Sequence, residues 1–276
     1  MSEPFLKRED YEEPTCLLCM DKNGGAPKQI PVDRVIAKFD SYVESGDTEG
    51  ALRHLGYWYE EARIGRDEGG MLTILNEKMG LLRKEGRHQE AVETAERALK
   101  LASSMQLDGE TVLGTTFLNA GTVFNAAGMP EKALPFYESA QKIYEANLDA
   151  HDSRLGGLYN NMAVTLMHLG IHERAESCYT KALDVMIGSV HECLERAVTY
   201  VNMANLYEAM LGPEQGETKI SECLRNAQNL LSDPSVRQDA YAAFVYEKCA
   251  PAFGYFGWFA CEQTLVERAR KIHEGT

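Results

Sequence analysis

The chain has 276 residues, 44% of them hydrophobic and 25% charged, with a formal net charge of -14; these are the proportions of a folded, water-exposed protein. So large an acidic excess argues against nucleic acid or an anionic membrane as partner, because binding phosphate needs an excess of Lys and Arg. The seven cysteines are an odd number, and the first residues, MSEPFLKRED, lack the apolar core of a signal peptide; together they point to reduced thiols and a cytoplasmic protein.

Residues 1–30 read as a polar tail. EDYEEP and DKNGGAPK are rich in turn formers and charge and would hold a helix poorly. Such a tail could be disordered, cover the first hydrophobic face or lie in the protein's own groove. Cys16 and Cys19 stand in it as CLLC. Two thiolates at that spacing can share a zinc ion, yet a closed tetrahedral site needs two further ligands, and no second pair or nearby His supplies them. An incidental pair and a metal or redox site both remain open.

Residues 31–276 read as one helical domain. Gly46, Gly86, Gly128, Gly170 and Gly212 are separated by 40, 42, 42 and 42 residues. Before a rung of this ladder apolar residues recur at helical spacing, as in Leu155, Leu158, Met162, Leu166 and Leu169; after it a second stripe follows, as in Ala175, Tyr179, Ala182 and Val185,. Glycine tolerates the left-handed backbone that commonly ends a helix, so each unit is predicted to be helix, tight turn, helix. Gly121 and Ala163 lie seven residues before a rung, Ala91, Ala133 and Ala175 five after, and Ala98, Ala140 and Ala182 twelve after. Helices approach closely only where side chains are small, so these positions read as crossing points. Trp58 takes the late alanine's place in the first unit. Past Gly212 the extra residues in GPEQGETK move the matching alanine to Ala227, and a last unit has Ala250, Gly257 and Ala269, with Glu262 where alanine is expected. Six hairpins are predicted between about residues 31 and 273.

FLNAGTVFNAAGMPEKALPFYESA (117–140) and YNNMAVTLMHLGIHERAESCYTKA (159–182) resemble the tetratricopeptide repeat, with its small residue in the first helix, its turn glycine, and its alanine, aromatic and alanine in the second. The usual period of that family is 34 residues. The spacing of 42 here is similar to the long-helix variety found in kinesin light chain and in bacterial sensor proteins. The resemblance implies an all-α fold, a right-handed superhelical solenoid of about six antiparallel helix-turn-helix hairpins. It also implies that the first helices line a concave groove that binds an extended peptide or a partner protein.

In the resembling family an asparagine nine residues before the turn glycine often grips the peptide backbone. Asn119 and Asn161 hold that place, and Asn202 lies ten before Gly212. An amide side chain offers donor and acceptor to a peptide unit without needing a particular peptide side chain. Thr122, Val164 and Asn205 follow one helical turn on, and His168 a turn beyond Val164, with Asn76, Asn160, Asn125 and Met167 adjacent; Arg83, beside Lys84, is the basic candidate of the second unit. The competing reading is that the asparagines bond the neighbouring repeat. A clamp for a C-terminal carboxylate, which the family builds from several Lys and Arg, is doubtful where the chain carries Asn, Thr, Val and Leu.

Catalytic motifs are missing from the sequence: it has no GxxxxGK[ST] loop, no GxGxxG, no GxSxG and no HExxH, so neither an enzyme nor a cofactor is expected. His168 and His172 are four apart, but Gly170 ends the helix between them. The last hairpin is rich in aromatics, Tyr241, Phe244, Tyr246, Phe253, Tyr255, Phe256, Trp258 and Phe259, which either pack the final helices or form an exposed surface for a homodimer or partner. A binding scaffold is the leading reading. A peptide-sensing regulatory receptor comes second, and a metal- or redox-linked module using Cys16 and Cys19 third.

Overall fold

The computed structural model describes residues 28–105, 107, 109–189 and 191–275. Cys16 and Cys19 lie outside the described residues. Every regular element among the described residues is an α-helix, and consecutive helices pair into hairpins. Two compact units result, one ending at Gln106 and the other beginning at Leu107.

The first unit contains α1 (Val32–Glu44), α2 (Thr48–Gly65), α3 (Glu68–Lys84) and α4 (His88–Ser104). Val35, Phe39 and Tyr42 face Ala51, Leu55, Trp58 and Ala62 across the first hairpin, and Ile74 and Leu81 of α3 close the same core. His54 Nε2 reaches the Val35 carbonyl at 2.9 Å, which gives that buried ring a partner. A short strap, residues 28–30, crosses the α2–α3 turn. Its Lys28 N–H donates to the Gly65 carbonyl at 2.9 Å and its Ile30 N–H donates to Asp67 Oδ2 at 2.9 Å. Asp67 is also the N-cap of α3, accepting from Gly70 N–H at 2.9 Å, the usual work of an aspartate in that position. Any side chain at Gly65 would collide with the Lys28 carbonyl, so the strap's approach requires glycine there.

The second unit contains α5 (Thr111–Ala126), α6 (Pro130–Asn147), α7 (Ser153–His168), α8 (His172–Val185), α9 (Glu192–Leu231), α10 (Ala240–Tyr255) and α11 (Phe259–Gly275). Helix α9 is broken at Gly212, whose backbone leaves the helical region (φ 77°, ψ 166°), so its two arms are the two helices of one hairpin. With that break the described residues hold the six hairpins predicted. Gly46, Gly86, Gly128, Gly170, Gly212 and Gly257 all have φ between 69° and 79°, a conformation in which a Cβ is crowded.

The alanines at fixed offsets, from Ala51 to Ala269, are all at most 2% exposed. Aromatic rings of α6 pack where α5 has glycine: the Tyr137 ring fills the space left by Gly121, and Tyr144 that left by Gly114. The two irregularities read from the sequence have local answers. The extra residues after Gly212 make no loop, because the second arm of α9 turns helical directly at Pro213 and gains nearly a turn; proline suits a first helical position. Glu262, in an alanine position, lays its carboxylate against Gly254, which has no Cβ to meet it.

Candidate functional site

The first helices of the second unit neighbour one another: α5 touches α7, α7 touches α9, and α9 touches α10. Their shared side carries most of the polar candidates at half-buried depth, Asn119, Asn125, Asn160, Asn161, Asn202 and Asn205. Two hydrogen bonds cross between successive helices. Asn202 Nδ2 donates to Asn160 Oδ1 at 3.2 Å, and His168 Nδ1–H donates to Asn125 Oδ1 at 3.4 Å. These four residues are thus occupied in joining one repeat to the next.

Asn161 and Asn205 differ, since neither side-chain amide makes a hydrogen bond to another described residue. The Asn161 backbone carbonyl accepts from Thr165. Between the first arm of α9 and α10 lies a cleft of about 320 Å³ whose walls include Val198, Asn202, Asn205, Lys248 and Tyr255. Lys248 was not among the sequence candidates. Its only sequence signal was a charge interrupting an apolar stretch.

The remaining candidates sort by burial. Thr122 Oγ1 donates to the Leu118 carbonyl at 2.8 Å and accepts from the Tyr137 hydroxyl at 3.2 Å, so it anchors α6 to α5. Asn76 is buried in the first unit and donates to the Leu72 carbonyl at 3.0 Å. Met167 is half-buried and Arg83 is exposed in the last turn of α3. His168 and His172 belong to separate helices on either side of Gly170, and no group of three or more His, Cys, Asp or Glu among the described residues is arranged to hold a metal ion.

Away from that side, each of two tyrosines bridges three helices. Tyr159 of α7 donates to Glu145 of α6 at 2.7 Å while Lys181 of α8 lies 5.3 Å from its ring centroid. Tyr207 of α9 donates to Glu176 of α8 at 2.6 Å with Lys219 at 4.4 Å from its ring. Burial, then the carboxylate, pushes both phenols well above their ordinary range, so both hydroxyls stay protonated donors. The thiols of Cys249 and Cys261 are pushed up to about 12 and about 11 by burial, which leaves them un-ionised packing groups at neutral pH.

The tetratricopeptide repeat family pattern matches residues 70–146 and again 157–185. The chain carries tetratricopeptide repeats. The first match runs from α3 to α6, and the second covers α7 with α8, so the repeat glycines Gly86, Gly128 and Gly170 all fall inside matched segments. BtubC (BKLC) from P. vanneervenii is a similar solved structure, 23% identical, with 90% of this chain and 92% of that chain covered at a TM-score of 0.50. The nearly identical TPR-like repeats of Podosopora anserina, assigned to a kinesin light chain, are 18% identical over 73% of this chain and 94% of that one at a TM-score of 0.52. At these identities the likeness speaks for the long tetratricopeptide fold. Comparison with curated proteins gave no match. Among the described residues no helix is long and apolar enough to cross a membrane.

Proposed function

We propose that the chain is a cytoplasmic, non-catalytic scaffold that binds an extended peptide or partner-protein segment along the first-helix side of its second unit. The observation that supports this most directly is the pair of amides at Asn161 and Asn205. Neither amide is bonded to a described residue, while their neighbours Asn160 and Asn202 are bonded to each other, so both can turn their donor and acceptor to a ligand. A peptide backbone supplies a donor and an acceptor at each residue, which is what an amide side chain can use. Asn119 lies in register on α5, and Lys248 and Tyr255 line the cleft at the other end.

The test is capture of partners from the source cell by wild type and by the triple variant Asn119→Ala, Asn161→Ala, Asn205→Ala, with thermal melting as the control. Loss of a partner at unchanged melting temperature is the expected result. A triple variant that keeps every partner would move the binding site elsewhere.

Self-association through the last hairpin is the second reading. Phe259 and Val266, seven residues apart on α11, are 64% and 53% exposed, whereas Tyr246 and Phe253 are fully buried. Two exposed apolar side chains on one face of a terminal helix suit a second copy or a partner.

A further inference from the structure

A second cleft, of about 680 Å³, opens between the second arm of α9 and the α10–α11 turn. Its floor is apolar, formed by Ile220 and Leu224, and three rings stand around it, Tyr255, Phe256 and Trp258. Tyr255 is 70% exposed and meets Phe256 edge-on at 5.0 Å between centroids. Its hydroxyl donates to Glu208 at 2.7 Å, which fixes both the ring and a carboxylate at the mouth. Glu214 and Glu217 complete the rim. They are three residues apart on one helix, so they stand side by side. No Lys, Arg or His is among the residues lining this cleft.

Each possible occupant meets that chemistry differently. An anion would face three carboxylates with no cation among the lining residues to offset them. An apolar side chain would take water from the carboxylates and return no hydrogen bond, which is costly. A cation satisfies both halves: its charge meets the carboxylates, and its body lies against the electron-rich faces of the rings. Arginine fits better than lysine, because its planar guanidinium stacks on aromatic rings and engages carboxylates through a fork of donors. Its methylene stem suits a floor of Ile220 and Leu224. The chain's own charge of -14 favours the approach of a basic segment over an acidic one.

We infer that this cleft is a receptor for an arginine side chain presented by a basic segment of a partner protein. The inference builds on the scaffold reading and gives it a chemical preference. Tyr255 lines both this cleft and the one holding Asn202 and Asn205, so a segment lying along the asparagine side reaches the cleft at that ring.

The probe is a fluorescein-labelled peptide, Ser-Gly-Arg-Gly-Ser-Gly-Arg-Gly-Ser, with twins in which arginine is replaced by lysine or by citrulline, the neutral isostere. Binding is read by fluorescence anisotropy at low and physiological salt. The expected order is arginine, then lysine, with the citrulline peptide unbound. Glu214→Gln with Glu217→Gln is expected to weaken the arginine peptide roughly fivefold or more. Glu131→Gln with Glu173→Gln removes the same charge from exposed positions on α6 and α8 and is expected to change affinity less than about twofold. Both pairs are exposed, and circular dichroism checks that each variant is folded. Equal weakening by the two pairs would mean diffuse attraction to an acidic protein and would overturn the site. So would citrulline binding as well as arginine, or no binding of the arginine peptide by wild type. Any of these results, with partner capture still dependent on Asn119, Asn161 and Asn205, would retire the cleft and leave the scaffold reading standing.

Discussion

The Asn202 amide donates to the Asn160 side-chain oxygen at 3.2 Å, across 42 residues of sequence, which is one full period of the repeat. That bond divides two adjacent asparagines on α7 between different tasks. Asn160 holds the next repeat, and Asn161, one residue on, is left with an amide that no described residue satisfies. Asn160→Ala should therefore destabilise the protein by about 0.5–1.5 kcal/mol, the range for losing one such hydrogen bond. Asn161→Ala should stay within about 0.5 kcal/mol of wild type, as surface changes do. Urea denaturation of the two variants measures the difference, and equal losses would remove the division of labour.

One glycine on α5 and one on α7 make a packing test. A Cβ at Gly121 would lie 2.9 Å from the Tyr137 ring, so Gly121→Ala should cost about 1–3 kcal/mol through overpacking. At Gly157 nothing lies within 4 Å of the added carbon. Gly157→Ala should stabilise by about 0.5–1 kcal/mol, because glycine inside a helix loses more freedom on folding than alanine does. Opposite signs in thermal melting are expected.

The acid limb of the stability profile should carry a signature of Glu77. Burial, then the charge of Asp40, raises its carboxyl above the ordinary value. A folded-state value above the unfolded one means that the folded protein holds this proton more tightly, so the penalty is present when Glu77 is ionised in both states. It fades as pH falls through the folded value toward the unfolded one. Glu77→Gln should accordingly raise the melting temperature at pH 7, with the gain shrinking toward pH 4. A gain that is constant with pH would assign it to packing and not to charge.

The exposed face of α11 gives a prediction about assembly. If self-association uses this face, Phe259→Ser with Val266→Ser lowers the oligomeric state seen by light scattering. Both side chains are more than half exposed, so a monomeric double variant should remain folded. A wild type that is already monomeric rejects self-association outright.

The hairpins were legible because they rest on local rules that repeat. Glycine at a positive φ and alanine at a crossing are each demanded by sterics at a fixed distance along the chain, and Gly86 through Gly257 and Ala91 through Ala269 answer to that demand. The repeat spacing put Asn161 in line with Asn202 and Asn160 only beside it, whereas it is Asn160 that meets Asn202. Both stand near the first-helix surface, and which of them meets Asn202 depends on how two helices rotate against each other. The aromatic and acidic cleft was invisible for a related reason: Glu208 and Tyr255 are 47 residues apart, and neither position is set by the period. That the extra residues after Gly212 coil into the second arm of α9 was not legible, because spacing counts residues without saying what backbone they adopt.

Gly128 and Gly170 share more than a place in the ladder. Their φ values are 74° and 72°, each is followed by one linking residue and then a helix, and Ala133 and Ala175 enter the next crossing at the same distance. A gene cut after the codon for Gly128 and rejoined at Ile171 would therefore present α8 to α5 through a turn of the same shape, with Tyr179 arriving where Tyr137 now fills the space beside Gly121. Removing one period of 42 residues in this way would shorten the chain between Asn119 and the cleft at Tyr255 while leaving every remaining turn with its own sequence.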